Sequence, residues 1–163
     1  MSKSNPNLRV EVLLVTADLT DCPALTRIFS HSNWKLRTCR TILEASRVIR
    51  SHPVGVVICK EMVSDGNWKG LLNTNSQPNH PKLFVASSSA TAHLWSEALR
   101  EGADYVLETP FNPRDVYRAV SEAWQRWWYA LVNEHQFDTS SSPSRKDMGL
   151  QLSGSRGLMA AGA

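Results

Sequence analysis

Five short stretches of the chain have the length and the apolar pattern of β-strands. Val10–Val15 contains a single glutamate and Val54–Cys59 a single glycine, so both are typical of central parallel strands that are covered on both faces. Trp34–Cys39 alternates apolar with charged residues, which predicts a half-exposed edge strand. Lys82–Ala86 and Tyr105–Leu107 are two more strand-like runs, and they complete a predicted set of five.

Between these strands, apolar residues recur at the spacing of a helix and predict five helices. The first begins around Asp21 and Pro23, and Thr41 caps the second. Gly102 ends the fourth, because glycine adopts the left-handed conformation at a helix end without steric cost. The residues with this spacing are Ala24, Leu25, Ile28 and Phe29, then Ile42, Ala45, Val48 and Ile49, then Trp68, Leu71 and Leu72, then Leu94, Trp95, Ala98 and Leu99, and finally Val116, Val120, Trp124, Trp127 and Leu131.

Strands that alternate with helices predict an α/β fold built on a doubly wound, five-stranded parallel sheet. Right-handed crossovers leave few topologies, and we expect the flavodoxin-like strand order 2-1-3-4-5 with five helices. Three regions follow from the composition: a flexible N-terminus over residues 1–8, one domain over 9–135, and a disordered tail over 136–163. The tail is rich in serine and glycine and offers too little apolar surface to form a core.

Composition and charge exclude several classes of protein. The net charge is +3 and 42% of the residues are hydrophobic, and no run of lysine or arginine suggests a nucleic-acid surface. No apolar run is long enough for a membrane span, and the N-terminus does not resemble a signal peptide. Cys22, Cys39 and Cys59 are far apart and odd in number, which favours reduced thiols over a disulfide framework. We therefore expect a cytoplasmic protein that binds neither nucleic acid nor membrane.

The stretch from the end of the fourth helix to the start of the fifth resembles the receiver domain of bacterial response regulators. Gly102-Ala103-Asp104 matches the helix end of that family, and Pro110-Phe111 matches the dipeptide after its last strand. The lysine that precedes this dipeptide in the family is Thr109 here. The resemblance covers roughly residues 8–132, and it implies the same strand order and a role in two-component signalling.

The resemblance also implies a site in the crevice between the first and third strands, where family members hold Mg²⁺ with acidic residues and phosphorylate an aspartate. The acidic pair after the first strand falls on Thr16 and Ala17, and only Asp18, one position later, is acidic. The phosphoacceptor position falls on Cys59 when counted from the proline before the third strand. It falls on Ile58 when counted back from the glycine after that strand, so neither count gives an aspartate.

Two further positions contact the phosphoryl oxygens in that family. The hydroxyl after the fourth strand falls on Ala86 or Ser87, depending on the direction of the count, and the lysine is Thr109. Phosphoryl transfer depends on positioning and electrostatic stabilisation, and the groups that supply both are missing. We therefore predict a pseudo-receiver: a phosphorylation-independent signalling module that is not an enzyme, holds no metal or cofactor, and acts through a protein partner.

Three other interpretations remain open at this stage. Cys59 beside Lys60 could be a redox-responsive thiol, although a free cysteine more often serves as a small buried hydrophobe. The crevice could hold a small ligand or cofactor in place of phosphate, as in other flavodoxin-like proteins. Glu61 and Asp65 could form a new metal site with Asp18, although acidic residues in loops are usually solvated.

Aromatic residues are dense in the fifth helix, and consecutive positions on a helix cannot all face one side. In receivers the fourth helix, fifth strand and fifth helix form the face used for dimers and partners. The candidate interaction face consists of Trp95, Val106, Trp124, Trp127, Trp128 and Tyr129. We expect Trp124 and Trp127 to serve the core, which leaves Trp128 and Tyr129 either for a protein partner or homodimer, or for capping the core.

Overall fold

The structure is a computed structural model of the chain, and it describes residues 9–76 and 80–134. The strands in these ranges are β1 (Glu11–Val15), β2 (Lys35–Cys39), β3 (Val56–Lys60), β4 (Met62–Val63), β5 (Gly66–Asn67), β6 (Lys82–Ser87) and β7 (Tyr105–Glu108). The helices are α1 (Asp21–Phe29), α2 (Ile42–Ser51), a 3₁₀ helix (Trp68–Ser76), α3 (Ala92–Glu101) and α4 (residues 113–134).

Five of the strands form one parallel sheet in the order β2-β1-β3-β6-β7. When the five strands of this sheet are numbered 1 to 5 along the chain, their order is 2-1-3-4-5. This is the predicted flavodoxin-like order, so the predicted fold class is confirmed. Two local features differ from the prediction. The short third helix is a 3₁₀ helix, and the segment after β3 forms a small antiparallel hairpin from β4 and β5.

The central strands are buried on both faces, and their residues alternate between two cores. Val12 and Leu14 of β1 face α1 and α4, together with Ile58 of β3. Leu13 and Val15 face the opposite layer, which α2, α3 and the 3₁₀ helix form. This alternation is the period-2 geometry of a strand, and it fixes the side of the sheet on which each residue lies.

The third strand of the sheet lies further along the chain than the sequence predicted. It spans Val56–Lys60 instead of Val54–Cys59, because Val54 and Gly55 precede the ladder with β1. Lys60 is therefore the last residue of β3 and pairs with Ala86 of β6. By alternation, Cys59 lies on the α2 and α3 side of the sheet, whereas Lys60 extends toward α1 and α4.

The sheet and residues 113–128 belong to one compact unit that ends at Trp128, and a second unit begins at Tyr129. The predicted terminal segments, residues 1–8 and 136–163, lie outside the described residues, and the predicted domain boundaries remain predictions. None of the helices in the described ranges is long and apolar enough to cross a membrane.

Two indole rings of α4 pack against the backbone just before β3. A Cβ placed on Gly55 would lie 2.7 Å from Cδ1 of Trp124 and 3.0 Å from Cε3 of Trp127. Trp124 in turn stacks on Trp128, with ring centroids 5.9 Å apart and planes parallel to within 1°. Only a glycine allows the helix to approach the sheet this closely at this point.

We predict that Gly55→Ala destabilises the protein by about 1–3 kcal/mol, because the added methyl group must push two large rings out of place. Urea unfolding followed by tryptophan fluorescence measures this loss. Gly70→Ala is the matched control and should lose less stability, since its Cβ comes within 3.0 Å of one aliphatic side chain, that of Ile42, and not of two indole rings. Equal stability of the two variants would contradict the packing argument.

Candidate functional site

The crevice lies at the carboxyl ends of β1 and β3, where the strand order of the sheet reverses. Val15 at the end of β1 pairs with Cys39 on one side and with Cys59 on the other. Open α/β sheets bind their ligands at such a switch point, because the crossovers leave in opposite directions and open a crevice. The polar side chains around this point therefore decide what the site can do.

An ion pair occupies the centre of the crevice. Lys60 Nζ lies 3.3 Å from Oδ2 of Asp21, the first residue of α1, and the two side chains are 19% and 7% exposed. Thr16, directly after β1, donates its hydroxyl hydrogen to the same Oδ2 at 2.8 Å. Lys60 Nζ also donates to Oγ1 of Thr109 at 3.5 Å. One lysine thus links β3 with the start of α1 and with the end of β7.

Removing one partner of this ion pair costs more stability than removing both. Removing a largely buried charge from water is costly, and the mutual attraction of the two groups offsets that cost only while both are present. The Asp21 carboxylate, with its two donors, is compensated in the crevice. Removal of the Lys60 charge would leave that carboxylate buried, with the hydroxyl of Thr16 as its one remaining donor among the residues that the structure describes.

The neighbouring residue Glu61 closes a second contact across the crevice. Ser87 at the end of β6 donates its hydroxyl hydrogen to Oε2 of Glu61 at 2.8 Å. The backbone N–H of Glu61 donates to the carbonyl oxygen of Ala86 at 2.9 Å. The backbone N–H of Ser89 donates to Oγ of Ser87 at 3.1 Å, and the N–H of Thr109 donates to the Ser87 carbonyl at 2.9 Å. The Ser87 hydroxyl is therefore engaged within the chain.

Asp18, the acidic residue one position after the predicted acidic pair, organises the connection between β1 and α1. The backbone N–H and the hydroxyl of Thr20 both donate to Oδ1 of Asp18, and these hydrogen bonds lower the pKa of the carboxyl group. The backbone N–H of Asp18 donates to Oγ1 of Thr16. Ala17, between them, is exposed and apolar. Asp18 serves the turn, and the buried acid of the crevice is Asp21.

Asp65, in the turn of the β4–β5 hairpin, caps a distant helix. Its Oδ1 accepts from the N–H of Ile42 at 2.8 Å and its Oδ2 from the N–H of Leu43 at 3.1 Å. These bonds lower the pKa of the Asp65 carboxyl group, chiefly through the N–H of Ile42. Asp18, Glu61 and Asp65 thus have separate partners, and no cluster of three metal-ligating residues occurs in the described ranges.

Cys59, which the sequence placed at the phosphoacceptor position, faces away from the crevice. Its side chain is fully buried in the core beneath α2 and α3, and this burial raises the pKa of the thiol to about 12. Cys39 lies two strands away on the same face, and burial raises the pKa of its thiol to about 11. Two strand spacings give ~9.6 Å, beyond the ~7 Å that a disulfide can bridge.

Sequence reasoning missed the two central residues, Asp21 and Lys60. The sequence pattern indicates Asp21 only as the start of a helix and Lys60 only as a neighbour of Cys59. The signal that could have found Lys60 is the strand alternation, because the residue two positions after the buried Ile58 must face the same side. An acid at the start of α1 and a base at the end of β3 then meet at one edge of the sheet.

The candidate interaction face is only partly available on the surface. Val106 and Trp127 are buried and cannot contact a partner in this conformation, which corrects their place in the predicted face. Tyr129 is 66% exposed, as expected for a ring left over from the core.

The remaining aromatic residues of that face form two separate ring contacts. Trp95 meets Tyr105 edge to face, with centroids 5.0 Å apart, and packs with the α2 and α3 layer. Trp124 packs with the α1 and α4 layer and stacks on Trp128, and both rings are partly buried. Tyr105 packs with the same α1 and α4 layer as Trp124, so it connects that layer with Trp95 at the edge strand β7.

We predict that Lys60→Met lowers the free energy of unfolding by roughly 2–4 kcal/mol, because it leaves the Asp21 carboxylate buried and unpaired. Urea unfolding monitored by circular dichroism measures the change. The double variant Lys60→Met/Asp21→Asn removes that charge while the amide oxygen can still accept from Thr16, and it should recover most of the loss. Lys69→Met is the control, since its ion pair with Glu97 is much more exposed and should matter little. A Lys60→Met variant as stable as wild type would contradict a structural role for the pair.

We predict that Ellman's reagent modifies at most one thiol quickly in the folded chain at pH 8, namely the half-buried Cys22. Cys39 and Cys59 are buried and protonated at that pH, and the thiolate is the reactive form. Peptide mapping by mass spectrometry identifies the modified residue, and Cys22→Ser should abolish the fast reaction. Rapid modification of Cys59 in the folded state would instead revive the thiol hypothesis.

No protein-family model matches the sequence, and no curated protein is similar enough in sequence to count as a relative. The structure, in contrast, is similar to solved receiver domains. For the receiver domain of a putative LuxO repressor protein from Vibrio parahaemolyticus, the TM-score is 0.68 at 19% identity, over 78% of this chain and 98% of that one. For the receiver domain of an HD domain-containing protein from Pseudomonas fluorescens, the TM-score is 0.66 at 20% identity, over 74% and 90%.

A third similar structure is a CheY-like receiver domain from Methanospirillum hungatei, with a TM-score of 0.65 at 18% identity over 75% of this chain and 98% of that one. Each of these domains is matched over nearly its full length. At 18–20% identity, this likeness shows the fold alone. The chain has the fold of the response-regulator receiver domain.

Proposed function

We propose that this protein is a degenerate member of the receiver family, a pseudo-receiver that acts in bacterial signalling without being phosphorylated. In this proposal the crevice is a structural element, and the output is binding to another protein. The protein carries out no catalytic step and requires no metal or cofactor. The observation that carries the proposal is the Lys60–Asp21 ion pair at the centre of the crevice.

The ion pair disfavours Mg²⁺ binding and engages the buried carboxylate of the crevice. Mg²⁺ is a hard cation that requires several oxygen ligands, and an ammonium group at the centre of the crevice repels it. The Asp21 carboxylate already accepts from Lys60 and Thr16. The Ser87 hydroxyl already donates to Glu61. The side chains of Lys60, Asp21, Thr16 and Ser87 are therefore each engaged with another side chain of the crevice.

Thr109 supports the same proposal from the side of β7. It is buried and accepts a hydrogen bond from Lys60. A threonine hydroxyl carries no charge with which to stabilise a phosphoryl group. The positive charge in the crevice is thus that of Lys60 on β3, and Asp21 on α1 neutralises it as its counter-ion.

Protein binding is the function that remains for such a domain. The exposed edge of β7 supplies one surface, because Trp95 and Tyr105 form a partly exposed aromatic pair beside that strand. Large aromatic residues of this kind are common anchors at interfaces. A homodimer or a protein partner that uses α3, β7 and α4 is consistent with this placement.

The thiol alternative has less support, since Cys59 is buried and its pKa is raised to about 12. The ligand-binding alternative rests on a cleft of about 390 Å³ beside the crevice, between the ends of β1 and β2. Its walls carry Asp18 and Glu44 together with Arg40. This mixture of charges selects no cofactor class.

We predict that acetyl phosphate leaves the chain unmodified, because the buried carboxylate of the crevice, Asp21, is engaged by Lys60 and Thr16, and the described residues contain no cluster of three metal-ligating side chains for Mg²⁺. Intact-mass spectrometry after incubation with and without Mg²⁺ tests this. A phosphorylatable receiver domain serves as the positive control for the reagent. An acid-labile adduct that requires Mg²⁺ would overturn the proposal, and its loss in Asp18→Asn or Glu61→Gln would identify the acceptor.

A further inference from the structure

We propose that the rim of the crevice is a docking surface for a basic, aliphatic segment of a partner protein. The crevice rim is defined here as three segments at the carboxyl end of the sheet: residues 17–20, 40–44 and 61–66. This inference rests on the proposed function, since it names the chemistry of the partner that such a binding module would take.

The first observation is the exposure of large apolar side chains on all three segments. Leu19 is 72% exposed, Leu43 is 58% exposed and Met62 is 68% exposed. In the described residues only Leu99 and Tyr129 share this property, and neither lies on the rim. Scattered exposed hydrophobic residues are ordinary, but three at one end of a sheet suggest a contact surface. Met62 is also an adaptable side chain of the kind found at binding surfaces.

The second observation is that the three segments are joined to one another. A cleft of about 390 Å³ lies between the first two, and its walls include Leu19 from one and Arg40 and Glu44 from the other. The carboxylate of Asp65 joins the second and third, because it accepts the N–H groups of Ile42 and Leu43. The apolar side chains are thus carried on a connected surface with a fixed framework.

The third observation is the charge of the rim. Its exposed charged residues are four carboxylates and one arginine, a net charge of −3, whereas the chain as a whole carries +3. The residues concerned are Asp18, Arg40, Glu44, Glu61 and Asp65. Hydrogen bonds lower the pKa of both Asp18 and Asp65, so these two remain charged well below neutral pH.

These three observations together indicate which kind of partner the crevice rim would bind. An acidic surface repels nucleic acid and anionic lipid headgroups, and it attracts lysine and arginine side chains. The apolar side chains require aliphatic or aromatic groups on the same partner. A segment with leucine-like residues on one side and basic residues beside them meets both conditions. The Lys60 ammonium does not disturb this complementarity, since Asp21 neutralises it beneath the rim.

The test uses the full chain and two synthetic peptides, one amphipathic helix of leucine and lysine and a counterpart of leucine and glutamate. Titration of the ¹⁵N-labelled chain maps the amides that shift, and the same titration gives the dissociation constant. We expect the leucine–lysine peptide to shift amides of the three rim segments, and the leucine–glutamate peptide to leave them unchanged. Leu43→Ser/Met62→Ser should weaken binding at least tenfold, with the amide dispersion of the folded chain retained.

Leu99→Ser is the matched control, because Leu99 is an exposed leucine of α3 away from the rim, and it should leave the affinity unchanged. Glu44→Gln/Glu61→Gln should weaken binding and reduce its dependence on salt, whereas Glu101→Gln on α3 should not. Shifts centred on another surface, an equal loss in Leu99→Ser, or no binding at all would overturn the proposal. None of these results depends on phosphorylation, so a failure of the rim leaves the acetyl phosphate test of the proposed function intact.

Discussion

Burial of the central strands on both faces is the constraint on which the rest of this structure depends. Each residue of β1, β3 and β6 must face one of two apolar layers, and the side is set by a period of two. At the end of β3 this rule sends Cys59 into the core and Lys60 toward α1. The chemistry of the crevice follows from that single alternation, because it brings a cation where the fold otherwise opens a ligand site.

The polar contacts of the crevice complete what the apolar layers begin. Lys60 reaches α1 and β7, and Glu61 reaches β6, so two consecutive residues connect β3 to its surroundings in both directions. Asp65 extends this framework to the start of α2. Such contacts are worth little one by one on an exposed surface. Here the central pair is largely buried, and the remainder are hydrogen bonds to hydroxyl or backbone groups that fix the loops of one end of the sheet.

The hydrophobic pattern predicted the strand order and the helix positions because these depend on periodicity, which the sequence displays directly. It predicted the site less well. The predicted third strand begins two residues early, since Val54 and Gly55 are as apolar as the strand itself, and it ends one residue early, at Cys59. Because neighbouring residues of a strand face opposite sides, this one residue at the end decides whether Cys59 or Lys60 faces the crevice.

Other features have no local signal in the sequence. The cap that Asp65 provides for α2 joins residues more than twenty positions apart. The approach of Trp124 and Trp127 to Gly55 likewise depends on where a helix crosses the sheet. Burial of Val106 was foreseeable, because a short strand covered by α3 has few exposed positions. The separation of the aromatic residues into two ring contacts required the three-dimensional arrangement.

The Lys60–Asp21 pair also bears on how this chain could change in evolution. Replacing Lys60 by aspartate would exchange the counter-ion of Asp21 for a second negative charge in a poorly solvated crevice, where like charges repel. Replacing Asp21 first would leave the ammonium without its counter-ion. Either single step passes through a destabilised intermediate, so the two positions are epistatic. A lineage that has acquired this pair is held in it by its own folding stability, whether or not selection on signalling continues.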